Sequence, residues 1–200
     1  SWRPDRTYIS KIYILCLYMK TLLTLLLCGL TISTSFTQIQ SPSAFLGYPL
    51  GTEFTYHHLM VDYFKHAAEN SSKMQLAIYG ESYERRPLMA AFVSSERNIQ
   101  NLEEIRQNNL RAVGMLDGEI SDSLKPIIWL SYNIHGNEAS GMEAAMKVLY
   151  TLISGEDFPG VQSWLDKAVI VLDPCENPDG RDRYANWYNG TKNYLYNVDP

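Results

Sequence analysis

"KPIIWLSYNIHG", residues 125–136, decides the fold. It opens with a continuous apolar run from Ile127 to Leu130, the mark of a β-strand covered on both faces. "NEASGMEAAMKVLYTLISG" (137–155) follows at once as a helix ending at Gly155, and "LDKAVIVLDPCENPDG" (165–180) supplies a second buried strand with a polar loop after it. Strand, helix, strand of this kind is a parallel crossover, so the chain belongs to the α/β class. The expected architecture is a mixed, largely parallel sheet flanked by helices.

Upstream, "KMQLAIYGES" (73–82) and "PLMAAFVSS" (87–95) are short alternating or apolar runs joined by the polar "YERR". They predict two antiparallel strands. "TYHHLMVDYFKHAAEN" (55–70) sets Leu59, Tyr63, Phe64 and Ala67 at helical spacing, with Thr55 as the expected N-cap. A second helix is predicted in "NIQNLEEIRQNNLRAVGML" (98–116), before the turn-forming "DGEISDS". "SPSAFLGYPLGTEF" (41–54) reads as an arm or linker, and the aromatic "NWYNGTKNY" (186–194) as a loop. No internal repeat or low-complexity tract is visible.

Composition bounds the function. With 46% apolar and 20% charged residues in 200, the chain is one ordinary globular domain or part of one. A formal net charge of -5 without a basic run excludes nucleic acid and a polybasic membrane contact. "MKTLLTLLLCGLTISTSFTQ" has the layout of a secretory signal peptide: a start-like Met19, Lys20, an apolar run from Leu22 to Ile32, then small or polar residues. Residues 1–18 then read as translation upstream of the true start, 19–37 as a cleaved signal, 38–52 as a linker or N-terminal arm, and 53–200 as the globular part. The expected location is secreted, periplasmic or extracellular, with no stable membrane association once the signal is removed. Cys175 is the one cysteine left after the leader, so no intrachain disulfide is expected, and it reads as a packed residue.

Two His-x-x-Glu pairs occur, His66 with Glu69 and His135 with Glu138. In a chain with 4 histidines, chance alone gives roughly a quarter of one such pair, so position has to decide. His66 and Glu69 lie late in a surface helix without further ligand candidates nearby. His135 follows a buried strand and Glu138 starts the next helix, on the sheet edge where α/β proteins bind ligands. Gly136 and Asn137 suit a tight turn with close backbone approach, and a neutral imidazole with a carboxylate matches zinc's ligand preference. The other reading of the same residues is a helix N-terminus with a favourable Glu138 and a histidine satisfied by backbone.

"HGNEASG" (135–141) after an apolar strand, "NPDGRDRY" (177–184) after the next, and "YGESYERRPL" (79–88) upstream stand in an order and spacing that resembles the M14-type zinc carboxypeptidases. The resemblance covers about residues 53–200, the N-terminal part of such a catalytic domain. It implies one zinc ion with His135 and Glu138 as two of its three protein ligands. Asn177 and Asp179 become the substrate-binding positions, acting by shaping their loop, and Arg183 or Arg181 becomes the catalytic arginine that polarises the scissile carbonyl. A third ligand, an Asn-Arg pair for a substrate carboxylate and a glutamate base are expected beyond Pro200, so these residues alone are expected to be inactive. Arg85 departs from the family's usual glycine, a change expected to be tolerated. The implied activity is zinc-dependent hydrolysis of a peptide or protein substrate, with an N-acyl amino acid hydrolase of the aspartoacylase or desuccinylase type, or a non-catalytic secreted binding module, as alternatives.

Overall fold

A computed structural model describes residues 17–20, 39–138, 140–156 and 158–191. Apart from Met19 and Lys20, the expected signal segment lies outside them. The chain divides into two units, residues 1–37 and 38–200. In the first, the described residues 17–20 are helical and exposed. No described helix is long and apolar enough to cross a membrane.

In the second unit four strands form one sheet in the order β1-β2-β4-β3: β1 Met74–Glu81, β2 Pro87–Val93, β3 Ile127–Ser131 and β4 Val169–Asp173. β1 pairs antiparallel with β2, and β2 with β4, while β3 runs parallel to β4 in the register Ile127↔Val169 through Ser131↔Asp173. The helices are α1 Pro42–Leu46, α2 His57–Glu69, α3 Glu96–Gln100, α4 Leu102–Ala112, α5 Gly141–Ser154, α6 Val161–Leu165 and α7 Pro178–Thr191. The hairpin and the β3-α5-β4 crossover are thus both present, and the sheet is mixed.

α2 and α5 supply the main core with the sheet. Met60, Tyr63 and Phe64 of α2 and Met142, Met146 and Leu149 of α5 are fully buried in one cluster with Met89, Ala91, Val93, Ile170 and Leu172. Each large side chain so buried contributes about 1.5–3 kcal/mol. α5 stops at Gly155, whose φ of 71° is the left-handed turn that glycine makes without strain.

Four expectations need correction. β3 is the last strand of the described sheet, and Ile127, Ile128 and Trp129 are exposed, whereas all five residues of β4 are buried between two neighbours. α2 starts behind Tyr56 without a side-chain cap. Thr55 instead is buried, donating its N–H to Glu143 Oε1 at 2.8 Å and accepting from Tyr48 OH at 3.0 Å. The arm contains a helix, α1, with Ser41 Oγ accepting from the Ala44 N–H. Residues 186–191 continue α7 instead of forming a loop, held by Tyr184 and Tyr188 packing edge-on against Phe54 at 5.2 and 4.5 Å.

The hairpin turn explains the odd residue at position 85. Ser82 accepts from the Arg85 N–H and donates its own N–H to the Arg86 carbonyl, closing a tight turn with Arg85 at φ 62°. That left-handed position favours glycine and costs an L-residue about 1–2 kcal/mol. Glycine gives back about 0.5–1 kcal/mol in chain entropy. Arg85→Gly is therefore expected to raise stability by up to about 1 kcal/mol in chemical denaturation; a clear loss would contradict the strain argument.

Candidate metal half-site

Because β3 and β4 are parallel, their C-terminal ends open on one edge. Beyond the strands the pairing continues as a zipper of backbone bonds: Tyr132 N–H to Asp173 O at 2.9 Å, Glu176 N–H to Tyr132 O at 3.1 Å and Asn177 N–H to Asn133 O at 3.2 Å. Asn133 takes the sharp turn this needs, with φ 55°. Asn177 then does two things. Its Oδ1 accepts from Gly180 N–H at 2.9 Å, capping α7, and its Nδ2 donates to Ile134 O at 3.1 Å, tying the two loops together.

The loops meet backbone to backbone at Gly136 and Gly180. A Cβ on Gly136 would lie 2.1 Å from the Gly180 carbonyl carbon and oxygen, and one on Gly180 would lie 2.7 Å from Asn177 Nδ2. Only glycine allows this approach.

Above this contact stand His135 and Glu138. His135 Nδ1 lies 2.9 Å from Glu138 Oε1, and the His135 N–H donates to Oε2 at 3.3 Å. These bonds hold the Glu138 carboxyl below the usual carboxylate range. The side chains are 71% and 50% exposed, so both donors open to solvent. Zinc bonds of about 2.0–2.2 Å in a tetrahedral site set neighbouring donors about 3.4 Å apart. The separation seen here needs only a small opening to take one ion, and the donor chemistry suits zinc. The fit is that of a half-site: among the described residues no group of three or more His, Cys, Asp or Glu is placed to hold a metal.

The two arginines singled out by sequence part company. Arg181 is fully buried, its Nη2 paired with Glu143 Oε1, its Nε donating to Thr55 O at 3.1 Å and its guanidinium 5.3 Å from the Phe54 ring. It also reaches Asn133 Oδ1 at 3.5 Å, behind the His135 loop. Arg183, two residues on, is exposed. Asp179 faces the β1-β2 hairpin: its Oδ1 accepts from Ser82 Oγ at 2.6 Å and Arg86 Nη1 at 2.7 Å, and its Oδ2 from the Glu84 N–H at 3.2 Å.

Sequence reasoning did not find Glu143, Arg86 or Asp182. The signal for Glu143 was there, an acid beside Met142, Ala145 and Met146 on the apolar face of α5. His66 is occupied elsewhere, its Nε2 accepting from Gln40 N–H at 3.4 Å and its ring 5.1 Å from Phe45. Burial pushes the Cys175 thiol up to about 12, which leaves it a packing residue.

Residues 60–200 match the sequence profile of the zinc carboxypeptidase family, M14 peptidases. The chain belongs to that family. Among solved structures it resembles carboxypeptidase A from Helicoverpa armigera, with a TM-score of 0.50 and 15% identity over 74% of this chain and 31% of that one. A metallo-carboxypeptidase from Burkholderia cenocepacia gives 0.48 and 14%, over 64% and 28%. Bovine thrombin-activatable fibrinolysis inhibitor, solved with tick carboxypeptidase inhibitor, gives 0.44 and 16%, over 72% and 36%. At such identities the likeness is one of fold, and the chain spans about a third of the length of these structures. No curated protein sequence matches it.

Two outcomes follow from the geometry. Gly136→Ala should force the loops apart and destabilise by about 1–3 kcal/mol or more, while Gly190→Ala, whose Cβ meets open space, should be neutral or stabilising; equal thermal melts for the two variants would refute the close contact. His57, buried on α2, has its pKa pushed down by desolvation to about 4 from 6.5. The unfolded chain therefore takes up a proton between those pH values that the folded chain refuses, so stability is full above pH 6.5 and falls by up to about 3 kcal/mol towards pH 4. His57→Gln should flatten the denaturation free energy over that window; an unchanged slope would show that His57 is not the group.

Proposed function

We propose that the full-length protein carrying this chain hydrolyses peptide bonds, as a zinc carboxypeptidase that removes C-terminal residues, with His135 and Glu138 as two of its zinc ligands. The observation that carries the reading is the imidazole-carboxylate pair, 2.9 Å apart and open to solvent, in a chain of this family. When bound, zinc supplies a water of lowered pKa and a Lewis acid for the scissile carbonyl.

The chain's own residues hold and orient. Glu138 bonds the His135 ring and main chain, which fixes both donors towards one point. Asn177 and the Gly136-Gly180 contact hold the loop that carries them against the start of α7. Of the two arginines Arg183 is the exposed one, and this reading gives it the developing oxyanion of the substrate. Arg181 serves from inside, neutralising Glu143 and bracing Asn133. Asn177 and Asp179 act on substrate through the loop they shape. A third ligand and a general base complete the reaction and are not assigned to described residues. Secretion is part of the same reading, supported by the leader-like segment 19–37.

The test uses full-length protein. Wild type should retain one zinc per chain after dialysis and release C-terminal residues from peptides faster than it deacylates N-acyl amino acids. Glu138→Gln should lose zinc by more than the 10–100-fold typical of an outer partner, and Arg183→Gln should lower kcat about 10²-fold or more with zinc retained. Unchanged zinc content and peptidase activity in Glu138→Gln would remove this residue from the site.

A further inference from the structure

Arg86 carries no role in the reading above, yet its guanidinium touches three carboxylates. Nε donates to Asp182 Oδ2 at 2.8 Å, and Nη1 donates to Asp179 Oδ1 at 2.7 Å and to Glu84. Its side chain is 24% exposed, and those of Asp179 and Asp182 are 22% and 13% exposed. A planar fork with several fixed donors holds two carboxylates in set directions, which an ammonium with rotatable donors does less rigidly.

The contacts join three elements. Arg86 closes the β1-β2 hairpin, with its N–H donating to Ser82 Oγ at 3.1 Å, and that hydroxyl donates in turn to Asp179. Asp179 and Asp182 lie at the start of α7. The other oxygen of Asp182 accepts the His57 N–H at 2.9 Å, which anchors the start of α2. Between the two aspartates lies Gly180, the residue against which Gly136 is packed, and just ahead of them lies Asn177, bonded to Ile134. A shift of the start of α7 is therefore passed within one turn to the residues beside His135.

We propose that Arg86 is a positioning residue for the metal half-site: by docking the hairpin on Asp179 and Asp182 it fixes the start of α7, and through Gly180 and Asn177 the placement of His135. This rests on the reading of His135 and Glu138 as zinc ligands. Arg86 is given no contact with metal or substrate in this scheme. Its effect is on how well the donors are pre-set, so it should be felt in zinc affinity and kcat more than in KM.

The experiment measures the zinc Kd of full-length protein by competition with a chromophoric chelator, at a temperature where every variant is fully folded by circular dichroism. Arg86→Gln is expected to raise the zinc Kd about tenfold, as loss of an outer partner does, and to lower kcat with little change in KM. Arg86→Lys, able to reach one aspartate, should fall between. A folded Arg86→Gln with a zinc Kd within twofold of wild type would overturn the proposal. If that variant does not fold, Asp179→Asn, which leaves Arg86 paired with Asp182 and Glu84, takes its place with the same expected direction and the same overturning result. Should wild-type zinc affinity be indifferent to Glu138→Gln, the reading beneath fails, and the proposal with it, which separates the two failures.

Discussion

Everything at the candidate site depends on how closely two loops can approach. Parallel pairing of β3 and β4 brings their ends to one edge, but the loops close only because Gly136 has no side chain where it meets the Gly180 backbone, and Gly180 none where it meets the Asn177 side chain. Each glycine costs roughly 0.5–1 kcal/mol of chain entropy relative to alanine. That loss is offset by the bonds the approach permits: the Asn177 cap of α7 and the Asn177 bridge to Ile134. His135 and Glu138 lie in the loop that carries this seam, and their separation is set by the bonds they make to each other.

A buried charge pair supports the seam from below. Arg181 and Glu143 are both withdrawn from water, which is expensive unless further bonds complete the pairing. Thr55 supplies one on each side, its carbonyl accepting from Arg181 and its N–H donating to Glu143 Oε1, while Glu143 Oε2 stays buried without a hydrogen-bond partner among the described residues. α5, α7 and the segment just ahead of α2 are thereby pinned at one point. Arg181 and Arg183 are two residues apart on α7, about 200° around the helix axis, which explains why one is buried and the other meets solvent. The same helix thus carries a brace and a solvent-facing cation.

Much of this was legible in the sequence. The crossover, the hairpin and the His135-Glu138 pair follow from local pattern, because apolar periodicity and strand-end position are local properties. The exposure of β3 was not legible, since an apolar run reports the side chains and not the number of neighbouring strands. Helix α7 was missed over 186–191 because Asn186, Asn189 and Gly190 are weak helix formers, and its order there comes from Phe54 packing on Tyr184 and Tyr188. The partners of Arg86 and Arg181 lie far away in sequence, Asp179 at a separation of 93 residues and Thr55 at 126. No local signal joins such pairs. Glycine at 136 was read correctly as a close-approach residue, while the surface it approaches, Gly180, came only with the structure.

The central claim is that the edge above Gly136 and Gly180 holds a metal ion. The most direct measurement is an anomalous-difference map at the zinc absorption edge, from crystals of full-length protein grown with zinc. The account predicts one strong peak within about 2.0–2.2 Å of a His135 ring nitrogen and a Glu138 carboxylate oxygen, with the Gly136-Gly180 contact unchanged. A peak elsewhere, or full zinc content with no density between His135 and Glu138, would contradict it.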